Sequence, residues 1–156
     1  DQVLDFVEKG ESYQSSKDAL LKIKAAGIKS SVMILNGLAG PKYSKQHAKN
    51  SALLMNEVQP DFLSTLVVSF PLGEERVKGR FDEWRMLNQH ELFVELREFL
   101  SHLELTDTVY RSDHASNYLP LKGNLGEDKE GLIAQLDQAI HRPDQVSLRQ
   151  EWQRGL

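Results

Sequence analysis

The sequence predicts an α/β fold in which about three parallel strands alternate with helices. Three observations carry that expectation. Short apolar runs of strand length recur in "SVMIL", "FLSTLVV" and "TVY", at about 29–36, 62–69 and 107–110. Segments of helical periodicity separate them, and parallel neighbours can be joined only over a crossover of that length, right-handed in nearly every case. The chain has 156 residues, of which 40% are hydrophobic, enough for one core and one domain spanning 1–156.

The elements follow in order. "DQVLDFVEKG" places Val3, Leu4, Phe6 and Val7 at helical spacing and stops at Gly10, a residue suited to a left-handed helix end. "SSKDALLKIKAAGIK" offers Ser15 or Ser16 as an N-cap, Leu20, Leu21 and Ile23 as a buried stripe, and Gly27 as a stop. The run Val32–Leu35 is too short for a helix and is broken by Gly37 and Gly40, giving the first strand and a glycine loop. "SKQHAKNSALLMNEV" reads as a helix capped by Ser44, and "DFLSTLVVSF" as the second strand. Residues 71–87 read as irregular or weakly helical, and "NQHELFVELREFLSHLEL" as a long amphipathic helix from Asn88. "TDTVYRS" supplies the third strand, and two closing helices are expected near 127–140 and 143–154.

Charge and composition remove several function classes. The formal charge is −4, from 19 basic and 23 acidic residues spread along the chain, so no basic stripe is available for phosphates and nucleic acid is not an expected partner. No apolar run approaches the roughly 20 residues that span a bilayer, and the expectation is a cytoplasmic protein with no membrane partner. The chain has no cysteine, which excludes disulfides, thiolate nucleophiles and cysteine-held clusters within it. His47, His90, His102 and His141 lack metal-ligand spacing and read as surface residues, so no metal site is expected. "GEERVKGRFDEWR" has mixed charge and reads as a solvated face.

In parallel α/β folds function gathers at the carboxyl ends of the strands. Three loops meet there: "NGLAGPKYS", "FPLGEE" and "RSDHASNYLPLKGN". The last supplies a cation, an anion and neutral donors in Arg111, Asp113, His114, Asn117 and Tyr118, a candidate substrate rim. The plain alternatives stand beside these readings. Gly37 and Gly40 serve equally as loop punctuation, Ser69 and Phe70 as a strand end, and His114 as a loop or capping histidine.

Three blocks, "LKIKAAGIKSSVMILNGLAG", "VQPDFLSTLVVSFPLGE" and "LELTDTVYRSDHASNYLPLKGNLGEDKEGLI", carry a likeness to a known family. In this order they resemble the carboxyl half of radical S-adenosylmethionine proteins, in the branch labelled oxygen-independent coproporphyrinogen oxidase-like or Fe–S oxidoreductase. The likeness covers nearly all of residues 1–140, and the last block is its most distinctive part. It implies the carboxyl half of a partial, TIM-like (β/α) barrel of about six strands. The amino-terminal half of such proteins carries a CxxxCxxC loop holding a [4Fe–4S] cluster, which cleaves S-adenosylmethionine to a 5′-deoxyadenosyl radical. The resemblance implies cofactor-wall positions at Asn36, Gly37, Ser69 and Phe70, with Asn36 standing where the family often has glycine. Cofactor and cluster would belong to the full-length protein, with neither bound by this chain alone, and the implied partners are a cluster-bearing amino-terminal half and a small-molecule substrate.

A second reading makes the chain a non-catalytic α/β scaffold or binding module. A sheet of three strands leaves an edge that favours pairing, and a homo-oligomer through that edge is its expected form. A stand-alone hydrolase using Asp113 and His114 is the weakest reading, because no nucleophile motif such as GxSxG is present.

Overall fold

The computed structural model describes residues 1–81 and 83–155, with every side chain in them except that of Arg76. Two helices, α1 (Gln2–Phe6) and α2 (Tyr13–Ala25), lead into strand β1 (Ser31–Asn36). Helix α3 (Gly40–Val58) crosses to β2 (Phe62–Val67); the short α4 (Glu75–Lys78) and long α5 (Gln89–His102) cross to β3 (Val109–Ser112). Strand β4 (Leu121–Asn124) and helix α6 (Lys129–His141) follow, and two single 3₁₀ turns at Pro143–Gln145 and Glu151–Gln153 end the chain.

The sheet order is β1-β2-β3-β4. β1–β2 and β2–β3 are parallel, as the alternation of strands and helices requires, with Ser31 opposite Phe62 and Phe62 opposite Val109. The sheet is not parallel throughout, because β4 pairs antiparallel with β3, Ser112 opposite Leu121. The sequence expectation lacked this fourth strand. Its "LKGN" is short and contains lysine and glycine, poor strand formers, so only its pairing makes it a strand.

All the long crossover helices lie on one face. Val32, Ile34, Leu63, Val67, Tyr110 and Leu121 point into a core closed by Ala52 and Met55 of α3, Leu96 and Leu100 of α5, and Leu132 and Leu136 of α6. Val67 therefore turns to the helix layer and is 6% exposed. The opposite face carries Met33, Leu35 and Phe62 at 57%, 37% and 40% exposure, with Arg111 also exposed there. Among the described residues β1 ends the sheet and pairs only with β2.

Several element ends differ from the sequence expectation. Ser12, rather than Ser15 or Ser16, caps α2, in a reciprocal box in which Ser15 N–H donates to Ser12 Oγ at 3.1 Å and Ser12 N–H to Ser15 Oγ at 2.9 Å. α3 begins at Gly40 with Pro41 in its first turn, so Ser44 lies inside the helix instead of capping it. Asn88 does cap α5: Glu91 N–H donates to Asn88 Oδ1 and Asn88 N–H to Glu91 Oε2, both at 2.9 Å. The helix expected at 143–154 is absent. That segment is an extended strap whose backbone bonds elsewhere, as in Arg149 N–H donating to Tyr118 C=O at 2.8 Å. The strip 73–85 is not wholly a solvated face either. Val77, Phe81 and Trp84 are buried in a second apolar cluster with Phe6, Tyr43 and Phe70 against it, while Asp82 and the Arg76 side chain of this strip lie outside the described residues.

Candidate functional site

The parallel register brings the carboxyl ends of β1, β2 and β3 to one end of the sheet, and the loops after them touch in pairs. Val68 N–H donates to Asn36 C=O at 2.9 Å, tying the first loop to the second. Asn117 ties the second to the third. Its Nδ2 donates to Thr65 C=O at 2.9 Å, and its Oδ1 accepts from Val67 N–H at 3.1 Å. A parallel strand residue bonds its neighbour's i carbonyl and i+2 amide, so the Asn117 carboxamide continues the ladder where β2–β3 pairing stops at Arg111.

The third loop is held from above by the strap. Arg149 donates through Nη1 to the carbonyls of His114 and Asn117, at 2.6 and 3.1 Å, and through Nη2 to that of Asp113 at 3.1 Å. Arg154 Nε donates to Ser116 C=O at 2.9 Å, and its guanidinium stacks 3.8 Å from the Tyr118 ring centroid. The Tyr118 hydroxyl donates to Glu151, and burial first, then that hydrogen bond, push its pKa up to about 12. Asn117 and Tyr118 are thus buried with their polar groups engaged by the scaffold. Arg111, Asp113 and His114 are exposed, with His114 Nδ1 accepting from Ser116 N–H at 3.1 Å.

The first loop has a structural explanation of its own. Gly37 has φ +86°, and a Cβ there would meet Leu92 Cδ2 at 3.0 Å; its N–H donates to Glu95 Oε1 at 2.7 Å. Asn36 is buried and donates from Nδ2 to Leu92 C=O at 3.2 Å. Both residues have these groups committed to α5. Gly40 has φ +61°, with Trp84 Cδ1 only 2.6 Å from where a Cβ would sit.

Ser69 and Phe70 stand differently. They line a cavity of about 650 Å³ along the free edge of β1, between that strand, α1, α2 and α3. Its walls are mainly apolar, from Val32, Ile34, Leu35 and Leu54 among others, and the polar groups Gln46, His47 and Asn50 of α3 converge on it. His47 is no surface residue: its side chain is 12% exposed and stands beside the buried Glu95 carboxylate. Glu95 accepts from Gly37 N–H and, at 2.5 Å, from Ser44 Oγ–H, so it joins the glycine loop to α3. Sequence reasoning missed Glu95, His47, Arg149 and Arg154. The one signal available was a glutamate inside the apolar stripe of α5, between Phe93 and Leu96.

Among the described residues no group of three or more His, Cys, Asp or Glu side chains is placed to hold a metal ion. With no cysteine in the chain, nothing here fits an iron–sulfur cluster. For an adenosyl group the fit is partial, since Ser69 and Phe70 face the cavity while the Gly37 amide and the Asn36 carboxamide are engaged within the fold. No helix among the described residues is long and apolar enough to cross a membrane. No family model, no curated protein and no solved structure matches the chain.

Proposed function

We propose that this chain is the carboxyl-terminal part of a radical S-adenosylmethionine enzyme, supplying cofactor-wall and substrate-rim residues to a half that holds the cluster. The observation that carries this reading is the one-sided sheet. Three successive parallel strands have their crossover helices on a single face, and the other face leaves Met33, Leu35 and Phe62 open. Strands that are apolar on both faces belong to sheets covered on both. In a (β/α) barrel the face away from the helices is the interior, and β1 would pair with a further parallel strand.

On this reading Ser69 and Phe70 form a wall for the adenosyl group, and Arg111, Asp113 and His114 are the rim groups free to meet substrate. Asn117 and Tyr118 hold that rim in place. S-adenosylmethionine bound at a cluster supplies the 5′-deoxyadenosyl radical, and the cysteine-free chain needs a CxxxCxxC partner half for it. The test is anaerobic reconstitution of the chain joined to the sequence preceding it in its gene, followed by assay for 5′-deoxyadenosine. Production that falls by about tenfold or more in Phe70→Ala or Ser69→Trp, through misplacement of the cofactor, supports the reading. A gene without a cluster-binding cysteine motif, or a reconstituted cluster that yields no 5′-deoxyadenosine, overturns it.

The unpaired edge of β1 also favours a second reading, a non-enzymatic module that self-associates along that edge. Sedimentation equilibrium on the isolated chain tests it, and a chain that stays monomeric at about 100 μM would remove it.

A further inference from the structure

The loop after β3 offers six successive carbonyls, those of residues 113–118, to the strap that follows α6, and each accepts a hydrogen bond from it. Arg149 supplies four of these bonds: Nη1 donates to His114 and Asn117, Nη2 to Asp113, and the backbone N–H to Tyr118. Arg154 Nε donates to Ser116 and Gly155 N–H to Ala115, at 2.9 and 3.3 Å. The guanidinium of Arg154 also stacks on the Tyr118 ring. Two features separate the strap from the fold beneath it. Every residue of 143–155 is exposed or half-buried, its apolar anchors are the half-buried Val146 and Leu148, and Trp152 is 82% exposed. The loop keeps its own hold on the sheet, because the Asn117 carboxamide bonds Thr65 C=O and Val67 N–H without using the strap. Segments with few buried apolar contacts open at lower free energy than the core, so the strap can leave while the loop stays. Its departure bares a surface of carbonyl acceptors beside an aromatic face, and acceptors stripped of their donors are costly until another donor-rich group replaces them.

We propose that the loop 113–118 is a docking surface for an extended, arginine-bearing segment of a partner protein, and that the chain's own strap occupies it until displaced. Arginine is the residue it fits. A planar guanidinium reaches several carbonyls from one fixed fork and stacks on Tyr118, whereas a lysine ammonium is a compact point charge. A small cation would fill one of the two guanidinium positions, so the row of carbonyls calls for a peptide with two arginines spaced as Arg149 and Arg154 are. A second copy of the chain is the poorer occupant. Its strap already makes these bonds at home, and exchange would cost association entropy without adding a contact. This inference does not rest on the radical reading, since neither cluster nor S-adenosylmethionine enters it.

The experiment is fluorescence anisotropy with a labelled peptide of the strap sequence, PDQVSLRQEWQRG, titrated with the full chain and with its Arg149→Ala, Arg154→Ala form, in which the weakened strap yields the surface. The double variant should bind the peptide about tenfold or more tighter than the unsubstituted chain, where the tethered strap competes at an effective concentration of about a millimolar. A peptide carrying Arg149→Lys and Arg154→Lys should bind about tenfold or more weaker than the arginine peptide. Binding that does not distinguish the two peptides or the two chains, or no binding to the double variant, would overturn the proposal. So would a concentration-dependent dimer of the unsubstituted chain that Arg149→Ala abolishes, the mark of strap exchange between copies. If the double variant does not fold, native-state hydrogen exchange of the unsubstituted chain decides it. Arg149 and Gly155 amides that open with a smaller urea dependence than those of Leu96 and Leu100 support a strap that releases by itself, and a shared dependence refutes it.

Discussion

Replacing Asn117 by alanine asks whether the loop after β3 is held as a structural joint or kept as a ligand contact. The carboxamide is 5% exposed and makes two backbone bonds, donating to Thr65 C=O and accepting from Val67 N–H. The two losses differ. Val67 N–H retains Ser116 Oγ at 3.2 Å, so its loss costs about 0–1 kcal/mol, while Thr65 C=O is left buried and unpaired, at about 1–3 kcal/mol. Adding the packing lost with the amide gives roughly 2–4 kcal/mol, or about 5–15 °C in Tm for a domain of this size. Asn117→Asp should cost at least as much, because a carboxylate cannot donate to Thr65 C=O and would be buried as a charge. Urea unfolding followed by far-UV circular dichroism measures both. His114→Ala serves as the reference in the same loop, since its exposed ring predicts a loss under about 1 kcal/mol. An Asn117→Ala loss below about 0.5 kcal/mol would refute the ladder-continuation argument and return Asn117 to the rim as a ligand contact.

Further outcomes follow from the same geometry. Gly37→Ala places a Cβ 3.0 Å from Leu92 at φ +86°, and should destabilise by about 1–3 kcal/mol in thermal unfolding. Gly40→Ala forces Trp84 to move, so its signature is a changed near-UV dichroism and tryptophan emission beside a similar loss of stability. The side-chain bond from Arg85 holds the Glu91 carboxyl down to about 2, below its ordinary 4.5, so its stabilisation is complete above pH 4.5 and is lost as pH falls toward 2. Glu91→Gln should flatten the urea midpoint across that window. Burial pushes Tyr110 up to about 12, so its contribution is complete below pH 10 and lost as pH rises through 12, and Tyr110→Phe should shallow that alkaline loss. Arg149→Ala with Arg154→Ala should open 113–116 to proteolysis at unchanged helix content, because the strap's grip on that loop is mostly guanidinium to carbonyl.

The strands and long helices were legible because period carries them. Val32–Leu35 and Phe62–Val67 are apolar runs of strand length, and α5 announces itself by a 3.6-residue apolar stripe running on from Asn88. The misses are places where tertiary partners overrule local pattern. β4 is a strand only because β3 offers an edge, and 143–154 is a strap because its arginines find free carbonyls on the neighbouring loop. The site was legible at the level of loops and not of atoms. Topology alone brings 36–37, 67–70 and 112–118 to one end. Which of those side chains face outward depends on α5 and the strap, whose Glu95, Arg149 and Arg154 lie far away in sequence.

The open face of the sheet is not uniform, and its pattern separates the two readings of the chain. Its large apolar residues that are well exposed, Met33, Leu35 and Phe62, sit on β1 and β2, whereas Arg111 on β3 and its cross-strand partner Lys122 on β4 are both charged and exposed. Whatever covers this face therefore meets apolar surface at the β1 side and positive charge at the β4 side. The direction of pairing at the free edge is the sharper criterion. A barrel continues by adding a strand parallel to β1, from elsewhere in a longer protein, and buries Met33 and Leu35 inside. Two copies meeting through β1 about a twofold axis must pair antiparallel, residue i against j and j against i. Close cross-edge Hα–Hα contacts between copies are an antiparallel signature, so their appearance in isotope-filtered NMR of a mixed-label sample would favour the self-associating module. Their absence, together with amide protection of Val32–Leu35 arising only in a longer chain, would favour the barrel.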